Sequence, residues 1–174
     1  QPTNLKDAVF LSELEALKAD LQVVVAFRML PEVVWSMPPL GTFNLHASLL
    51  PNYRGAAPIN WAIMNGETET GVTTFFLKHE IDTGSIIFQD NEPIHSEDTV
   101  GDLYSRLMIK GAGLVLKTVQ MIAAGSVITT DQEERHDLKH APKIFKENCK
   151  IDWNNSIDKI YDHIRGLNPF PGAW

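Results

Sequence analysis

The chain contains 174 residues, of which 44% are hydrophobic and 21% are charged. This is the composition of one ordinary globular domain with a proper core, so it excludes a disordered chain and a disulfide-stapled miniprotein. The formal net charge of −7 argues against a basic face that grips nucleic acid unaided, because phosphate contacts need clustered lysine and arginine.

The first elements in chain order alternate between helix and strand. Apolar residues at three-residue steps predict a helix over 8–17, and the β-branched run at 21–27 predicts a strand covered on both faces. Pro31 can open a short helix through Trp35, and an alternating strand follows over 41–46. This order predicts an α/β architecture, and the β-branched strand favours a parallel sheet.

The middle of the chain carries two further strands and the longest helix. A proline and a glycine bound a helix over 58–66, and runs rich in Val, Thr and Ile predict strands over 71–78 and 85–94. Thr99 and Asp102 have the spacing of a capping box, which begins a helix with a broad apolar stripe. No apolar stretch is long enough to span a bilayer.

The last part of the chain is less regular. Residues 131–149 are charged and without period, which is typical of an extended surface connection, and the two histidines there lack an obvious third metal ligand. A final helix is predicted over 156–166. Its expected buried stripe consists of Ile157, Ile160, Tyr161 and Ile164. The single cysteine, Cys149, excludes an intrachain disulfide and is typical of a reducing compartment such as the cytoplasm.

Two polar residues stand at the end of the predicted strand over 41–46. Asn44 and His46 are two positions apart, so they share one face of that strand. Ligands of open α/β sheets bind beyond the carboxyl ends of the strands, where both side chains could meet one carbonyl group. A structural interpretation stays open, in which Asn44 satisfies backbone groups and His46 is a partly buried, hydrogen-bonded ring.

Asp82 lies in a turn that Gly84 allows to be tight. Taken alone, this aspartate is typical of an Asx turn. A carboxylate that approaches an imidazole favours its protonated form. If Asp82 approaches His46, that histidine becomes a proton donor near neutral pH.

Together these motifs resemble a known family. The run at 44–51, Asn-Leu-His-Ala-Ser-Leu-Leu-Pro, with the downstream Asp82-Thr83-Gly84, resembles the formyltransferases that use 10-formyltetrahydrofolate. The runs at 53–58, 65–73 and 141–144 are most similar to the methionyl-tRNA formyltransferase branch. The resemblance covers essentially the whole chain and implies a Rossmann-like, open, mainly parallel sheet with flanking helices.

The resemblance also implies roles for individual residues. Asn44, His46 and Asp82 would be the catalytic trio, and each has the residue type of the family. Two segments would bind folate, and they consist of Ser48, Leu49, Leu50 and Pro51, and of Phe27, Arg28, Met29 and Leu30. Without the resemblance, the apolar members of the second segment would be read as core and its arginine as a solvated charge.

The implied reaction transfers a formyl group from 10-formyltetrahydrofolate to methionyl-initiator tRNA, with no metal and no membrane partner. Residues 1–168 would form a catalytic domain that lacks its first strands, and 169–174 would begin a linker to a C-terminal tRNA-binding barrel. Two alternatives stay open: a sugar-amine formyltransferase and a non-catalytic folate-binding module. A nicotinamide oxidoreductase is disfavoured because no Gly-x-Gly-x-x-Gly loop follows a strand.

Overall fold

The computed structural model describes residues 2–26, 29–133 and 135–174. Helices and strands are interspersed along these residues, so the predicted α/β class is confirmed. The elements in chain order are α1 (Ala8–Ala16), β1 (Gln22–Val25), α2 (Glu32–Trp35), β2 (Thr42–His46), β3 (Arg54–Gly55), α3 (Pro58–Met64), β4 (Glu69–Phe76), β5 (Ile86–Pro93), α4 (Val100–Ala123), β6 (His140–Ala141) and α5 (Ile157–Arg165). A short 3-10 helix over Lys146–Cys149 precedes α5.

The main sheet is mixed. Its four strands lie in the order β1-β2-β4-β5. The β1–β2 pair is parallel, whereas the β2–β4 and β4–β5 pairs are antiparallel, so the described sheet is not mainly parallel as expected. Residues 77–85 connect β4 to β5, and this connection is shorter than the dozen or so residues that a parallel crossover needs.

The edge strand β1 differs from its predicted environment. Val23 and Val25 are 43% and 56% exposed, so one face of the strand is open among the described residues. The long helix α4 packs on β4 and β5 instead. The run of β-branched residues therefore predicted the strand correctly, but the prediction that both of its faces are covered is wrong.

The core beneath the site is built by α4 and the strands that it crosses. The predicted capping box is confirmed, since Thr99 Oγ1 accepts from the N–H of Asp102 and the Asp102 carboxylate accepts from the N–H of Thr99. Leu103 and Leu107 on the buried face of α4 pack with Val72 of β4. This packing fixes the sheet that carries the polar residues of β2.

The stripe predicted for α5 is wrong. Three of its four residues, Ile157, Tyr161 and Ile164, are 81%, 45% and 40% exposed, and only Ile160 is partly buried. The helix instead buries Arg165, whose Nε donates to Asp162 Oδ1 at 2.7 Å and whose Nη1 donates to the carbonyl of Asp98 at 3.1 Å. The hydropathy pattern of the sequence does not show which face of α5 is buried, because a buried guanidinium group holds that face.

Among the described residues, no helix has both the length and the apolar character needed to cross a membrane.

An ion-pair cluster joins β5 to the start of α4. Arg106 donates from Nε to Glu92 Oε1 at 2.6 Å and from Nη2 to Asp98 Oδ2 at 2.5 Å. The side chains of both carboxylates are about nine-tenths buried. Hydrogen bonds from Arg106 hold the pKa of the Asp98 carboxyl below its ordinary value of 3.8.

We expect Arg106→Met to lower the free energy of unfolding at pH 7 by about 3 kcal/mol, because it leaves a buried carboxylate without its partner. Since the Asp98 pKa is lower in the folded state, the pair stabilises the fold above pH 3.8 and loses this contribution as the pH falls further. Urea unfolding at pH 7 and at about pH 3 tests this, with the exposed Lys6→Met as control. An equal decrease in the free energy of unfolding at both pH values would contradict the expectation.

Candidate active site

β2 carries Asn44 and His46 to one face of the sheet, near its carboxyl end. Side chains alternate along a strand, so the two residues are neighbours on that face with Cα atoms about 6.6 Å apart. Phe43 points to the opposite face and is fully buried in the core. The burial of Phe43 fixes the register, because a shift by one residue would place this ring on the polar face.

The two ring nitrogens of His46 have different surroundings. Nε2 lies 2.8 Å from the carbonyl oxygen of Tyr53. A carbonyl can only accept, so Nε2 carries hydrogen and donates. The other ring nitrogen, Nδ1, lies 3.8 Å from Asp82 Oδ2. This distance is too long for a hydrogen bond, which leaves Nδ1 able to bind a third group.

Asp82 is fixed in an unusual backbone conformation. Its φ of +56° lies in the left-handed region, which aspartate tolerates better than most residues. Oδ2 accepts a hydrogen bond from the backbone N–H of Gly55 at 2.9 Å. The carboxylate is thus held between Gly55 and His46 with only 12% of its side chain exposed.

Two glycines permit this close approach of backbone segments. Gly55 has a φ of +125°, and a Cβ there would lie 2.4 Å from the carbonyl oxygen of Ala141. A Cβ on Gly84 would lie 1.5 Å from the carbonyl oxygen of Phe76. Both distances are far below van der Waals contact, so the turn around Asp82 requires glycine at both positions.

Asn44 contributes an unpaired polar atom. Its Oδ1 is buried and has no hydrogen-bond partner among the residues that the structure describes. Buried polar atoms without partners are rare in proteins, and a ligand that supplies the partner is one physical explanation. A half-turn of the amide presents the N–H2 group in place of the oxygen, so Asn44 can offer a donor to a substrate oxygen.

The predicted folate segment at 48–51 is rigid rather than open. Ser48 is fully buried and its hydroxyl donates to the carbonyl of Asn52 at 2.7 Å. Leu50 is 3% exposed, its N–H donates to Thr73 Oγ1 at 3.2 Å, and its carbonyl accepts from Gln89 Nε2 at 2.8 Å. Leu49 and Pro51 are partly buried. The side chains of Ser48 and Leu50 therefore shape the loop rather than present themselves to solvent.

The second predicted folate segment is only partly described. Phe27 and Arg28 lie outside the described residues. Met29 is 70% exposed and Leu30 is partly buried. The interpretation of Met29 as a core residue is therefore wrong, and its exposed surface is free to contact a ligand.

Sequence reasoning missed Tyr53, whose carbonyl fixes the His46 ring. The Tyr53 hydroxyl donates to Glu67, which also accepts from Lys139, and it accepts from Asn65 at 3.2 Å. Burial and then the Glu67 contact raise the pKa of Tyr53 above its ordinary value, so this hydroxyl stays neutral. Tyr53 stands in a run that carries the family resemblance, but its main-chain role has no signature in the residue type.

Gln132 was missed as well. Its side chain reaches the Asp82 turn from a segment without period, in which no pattern distinguished it. In the part of the chain that the structure describes, no group of three or more His, Cys, Asp or Glu side chains could hold a metal ion.

Comparisons with known proteins give the family. The model of the formyl transferase family matches residues 1–119, and the model of the formyl transferase C-terminal domain matches residues 143–174. The methionyl-tRNA formyltransferases of Flavobacterium johnsoniae and Parabacteroides distasonis are 63% and 62% identical along the whole chain. The chain spans 55% of the length of each of these relatives.

Solved structures share the fold. The N-formyltransferase of Helicobacter canadensis, in complex with folinic acid and dTDP-3-aminofucose, is 33% identical with a TM-score of 0.66 over 71% of this chain and 46% of that chain. HypX of Aquifex aeolicus, in complex with tetrahydrofolic acid, is 25% identical with a TM-score of 0.80 over 98% of this chain and 29% of that chain. Since one family model covers well over half of the residues and the relatives align along all of them, the chain belongs to the formyl transferase family.

Proposed function

We propose that this chain forms the formyl-transfer centre of a methionyl-tRNA formyltransferase. In this function, 10-formyltetrahydrofolate donates a formyl group to the α-amine of methionyl-initiator tRNA, in the cytoplasm and at translation initiation. The observation that carries the chemistry is the buried Oδ1 of Asn44, which has no partner among the described residues, on the same strand face as a histidine whose Nδ1 lies 3.8 Å from a carboxylate. Relatives of that name, identical at more than six positions in ten, support the tRNA acceptor.

Asn44 and His46 would stabilise charge on the formyl oxygen. When the amine attacks the formyl carbon, negative charge develops on that oxygen. The N–H2 group of Asn44 and an Nδ1–H of His46 would be the two donors to this oxygen. Loss of one such donor in other enzymes costs on the order of 10²–10³ in turnover, so the pair can supply a large part of the acceleration.

Asp82 would act through charge and proton transfer. Its carboxylate lies 3.8 Å from the imidazole Nδ1, so it would stabilise positive charge that develops there during the reaction. At 3.8 Å it does not occupy the Nδ1–H bond, which stays available to the formyl oxygen. As the attacking amine becomes positively charged it must lose a proton, and Asp82 would relay that proton to water. Positioned proton transfer contributes roughly 10²–10⁴ in rate.

The described residues fit the reacting end of a folate formyl donor. The half-buried amide of Asn44, turned so that its N–H2 group faces the site, could donate to a carbonyl oxygen, and the folate donor when bound would supply an activated formyl group. Ser48, Leu49, Leu50 and Pro51 would form a rigid loop beside it, set by Thr73 and Gln89. Met29 and Leu30 would offer apolar surface to the ring system, whereas Phe27 and Arg28, to which the resemblance also gives a folate-binding role, lie outside the described residues.

A sugar-amine formyltransferase is the second candidate. The N-formyltransferase from Helicobacter canadensis, whose structure contains dTDP-3-aminofucose, matches 71% of this chain. The same three side chains could promote attack by a sugar amine, because the chemistry at the formyl carbon is identical. The two candidates differ only in the acceptor.

The test is an acceptor comparison with the longest natural polypeptide that carries this sequence. The protein is supplied with 10-formyltetrahydrofolate and, separately, with methionyl-initiator tRNA or a dTDP-amino sugar. We expect formylation of the methionyl-tRNA alone, and uncharged initiator tRNA serves as the control because it lacks the amine. Transfer to the sugar alone would overturn the proposal in favour of the second candidate. Folate binding without transfer to either acceptor would identify a binding module.

A further inference from the structure

A short segment after α4 runs along the turn that carries Asp82. The N–H of Ile86 donates to the carbonyl of Thr130 at 2.8 Å, and the N–H of Thr130 donates back to the carbonyl of Ile86 at 2.9 Å. The Ser85 hydroxyl donates to Asp131 Oδ1 at 2.7 Å. These contacts place the next residue, Gln132, beside the turn.

The amide of Gln132 uses every hydrogen-bonding position that it has. Nε2 donates to the carbonyl oxygens of Asp82 and Gly84, both at 2.8 Å. Oε1 accepts from Nε and Nη2 of Arg54, at 3.0 and 2.7 Å. A glutamine amide offers two N–H groups and two lone pairs, so this one is saturated. Gln132 therefore connects β3 to both ends of the Asp82 turn.

The same short strand holds the Asp82 carboxylate directly. Arg54 orients Gln132, and the next residue, Gly55, donates its N–H to Asp82 Oδ2. The main chain and the carboxylate of Asp82 are thus fixed from one element. A left-handed aspartate persists only when its surroundings hold it, and the two bonds from Gln132 provide that restraint.

We propose that Gln132 is a positioning residue for formyl transfer, which holds the Asp82 turn so that the carboxylate faces His46. The inference rests on the proposed function for its effect on rate. Gln132 acts through Asp82, and no reacting atom contacts it. Its bonds to the two carbonyls depend on the N–H2 group, so Gln132→Glu should not hold the Asp82 turn, although it retains an acceptor for Arg54.

The kinetic test compares Gln132→Ala and Gln132→Glu with Gln120→Ala, which changes an exposed residue on α4. We expect the two Gln132 variants to lower kcat on the order of tenfold, since displaced catalytic groups lose rate steeply, and to leave KM for both substrates within about twofold. In an Asp82→Asn background, Gln132→Ala should cost nothing further. Full additivity of the two substitutions would overturn the inference.

A second readout does not depend on activity. The Gly55 N–H is protected by the Asp82 carboxylate, so its hydrogen exchange reports on the turn. Gln132→Ala should accelerate exchange at Gly55 at least tenfold and leave the Ile94 N–H, which donates to Thr68 at 2.9 Å, unchanged. Unaltered hydrogen exchange at Gly55 in the Gln132→Ala variant would contradict the inference. If the wild-type protein transfers no formyl group but Gln132→Ala still accelerates exchange at Gly55, the proposed function is refuted while the restraint of the turn by Gln132 is supported.

Discussion

Replacing His46 with alanine is expected to lower the rate of formyl transfer by on the order of 10²–10⁴. The substitution removes the ring nitrogen that can reach a substrate, because the other nitrogen donates to the Tyr53 carbonyl. It also leaves the Asp82 carboxylate without the imidazole that faces it at 3.8 Å. Single-turnover rates at saturating formyl donor measure this effect without interference from product release.

The effect of losing the imidazole must be distinguished from an effect on folding, since His46 is 94% buried. His46→Gln can still donate to the Tyr53 carbonyl but has no titratable nitrogen, so it should lose activity while its melting temperature stays near that of the wild type. His136→Ala changes an exposed histidine and should have no effect. Near-full transfer by a folded His46→Ala protein would show that the assignment is wrong.

Gly84→Ala is expected to destabilise the protein by about 4 kcal/mol, at the upper end of single substitutions. The added Cβ would lie 1.5 Å from the carbonyl oxygen of Phe76, and this atom belongs to backbone that cannot rotate away. The Phe76 N–H also donates to Ser85 at 3.0 Å, so the end of β4 and the turn are bound together on both sides. Relief of the overlap therefore requires the Asp82 turn to move.

The matched control is Gly113→Ala on α4. A Cβ there has no heavy atom within 4 Å, and alanine is favoured over glycine in a helix by up to about 1 kcal/mol. Chemical unfolding of both variants should therefore give shifts of opposite sign. A stable, active Gly84→Ala protein would contradict the geometry of the turn.

Much of the fold could be predicted because it depends on local patterns. The Thr99 capping box defined the start of α4, and alternation placed Asn44 and His46 on one face of β2. The pairing of β3 with β6 joins residues more than eighty positions apart and leaves no periodic trace. The exposed stripe of α5 shows the same limit, since Arg165 binds backbone carbonyls of a distant loop.

The candidate site was predictable in its residue types but not in how it is held. Asp82 was recognised from its turn and from a family resemblance, and its distance to His46 depends on the three-dimensional course of the chain. The groups that orient both side chains are a carbonyl and an N–H, which every residue other than proline possesses. Gln132 acts from a segment whose composition is typical of any surface connection.

The two main-chain groups that orient His46 and Asp82 belong to Tyr53 and Gly55, only two positions apart. Evolution can therefore exchange many neighbouring side chains without disturbing either anchor. A change in chain length at this point would have a larger effect. One inserted or deleted residue between Tyr53 and Gly55 would shift the N–H that binds Asp82 relative to the carbonyl that binds His46. Since position 55 also has to be glycine, both the identity of Gly55 and its spacing from Tyr53 constrain any change in this segment.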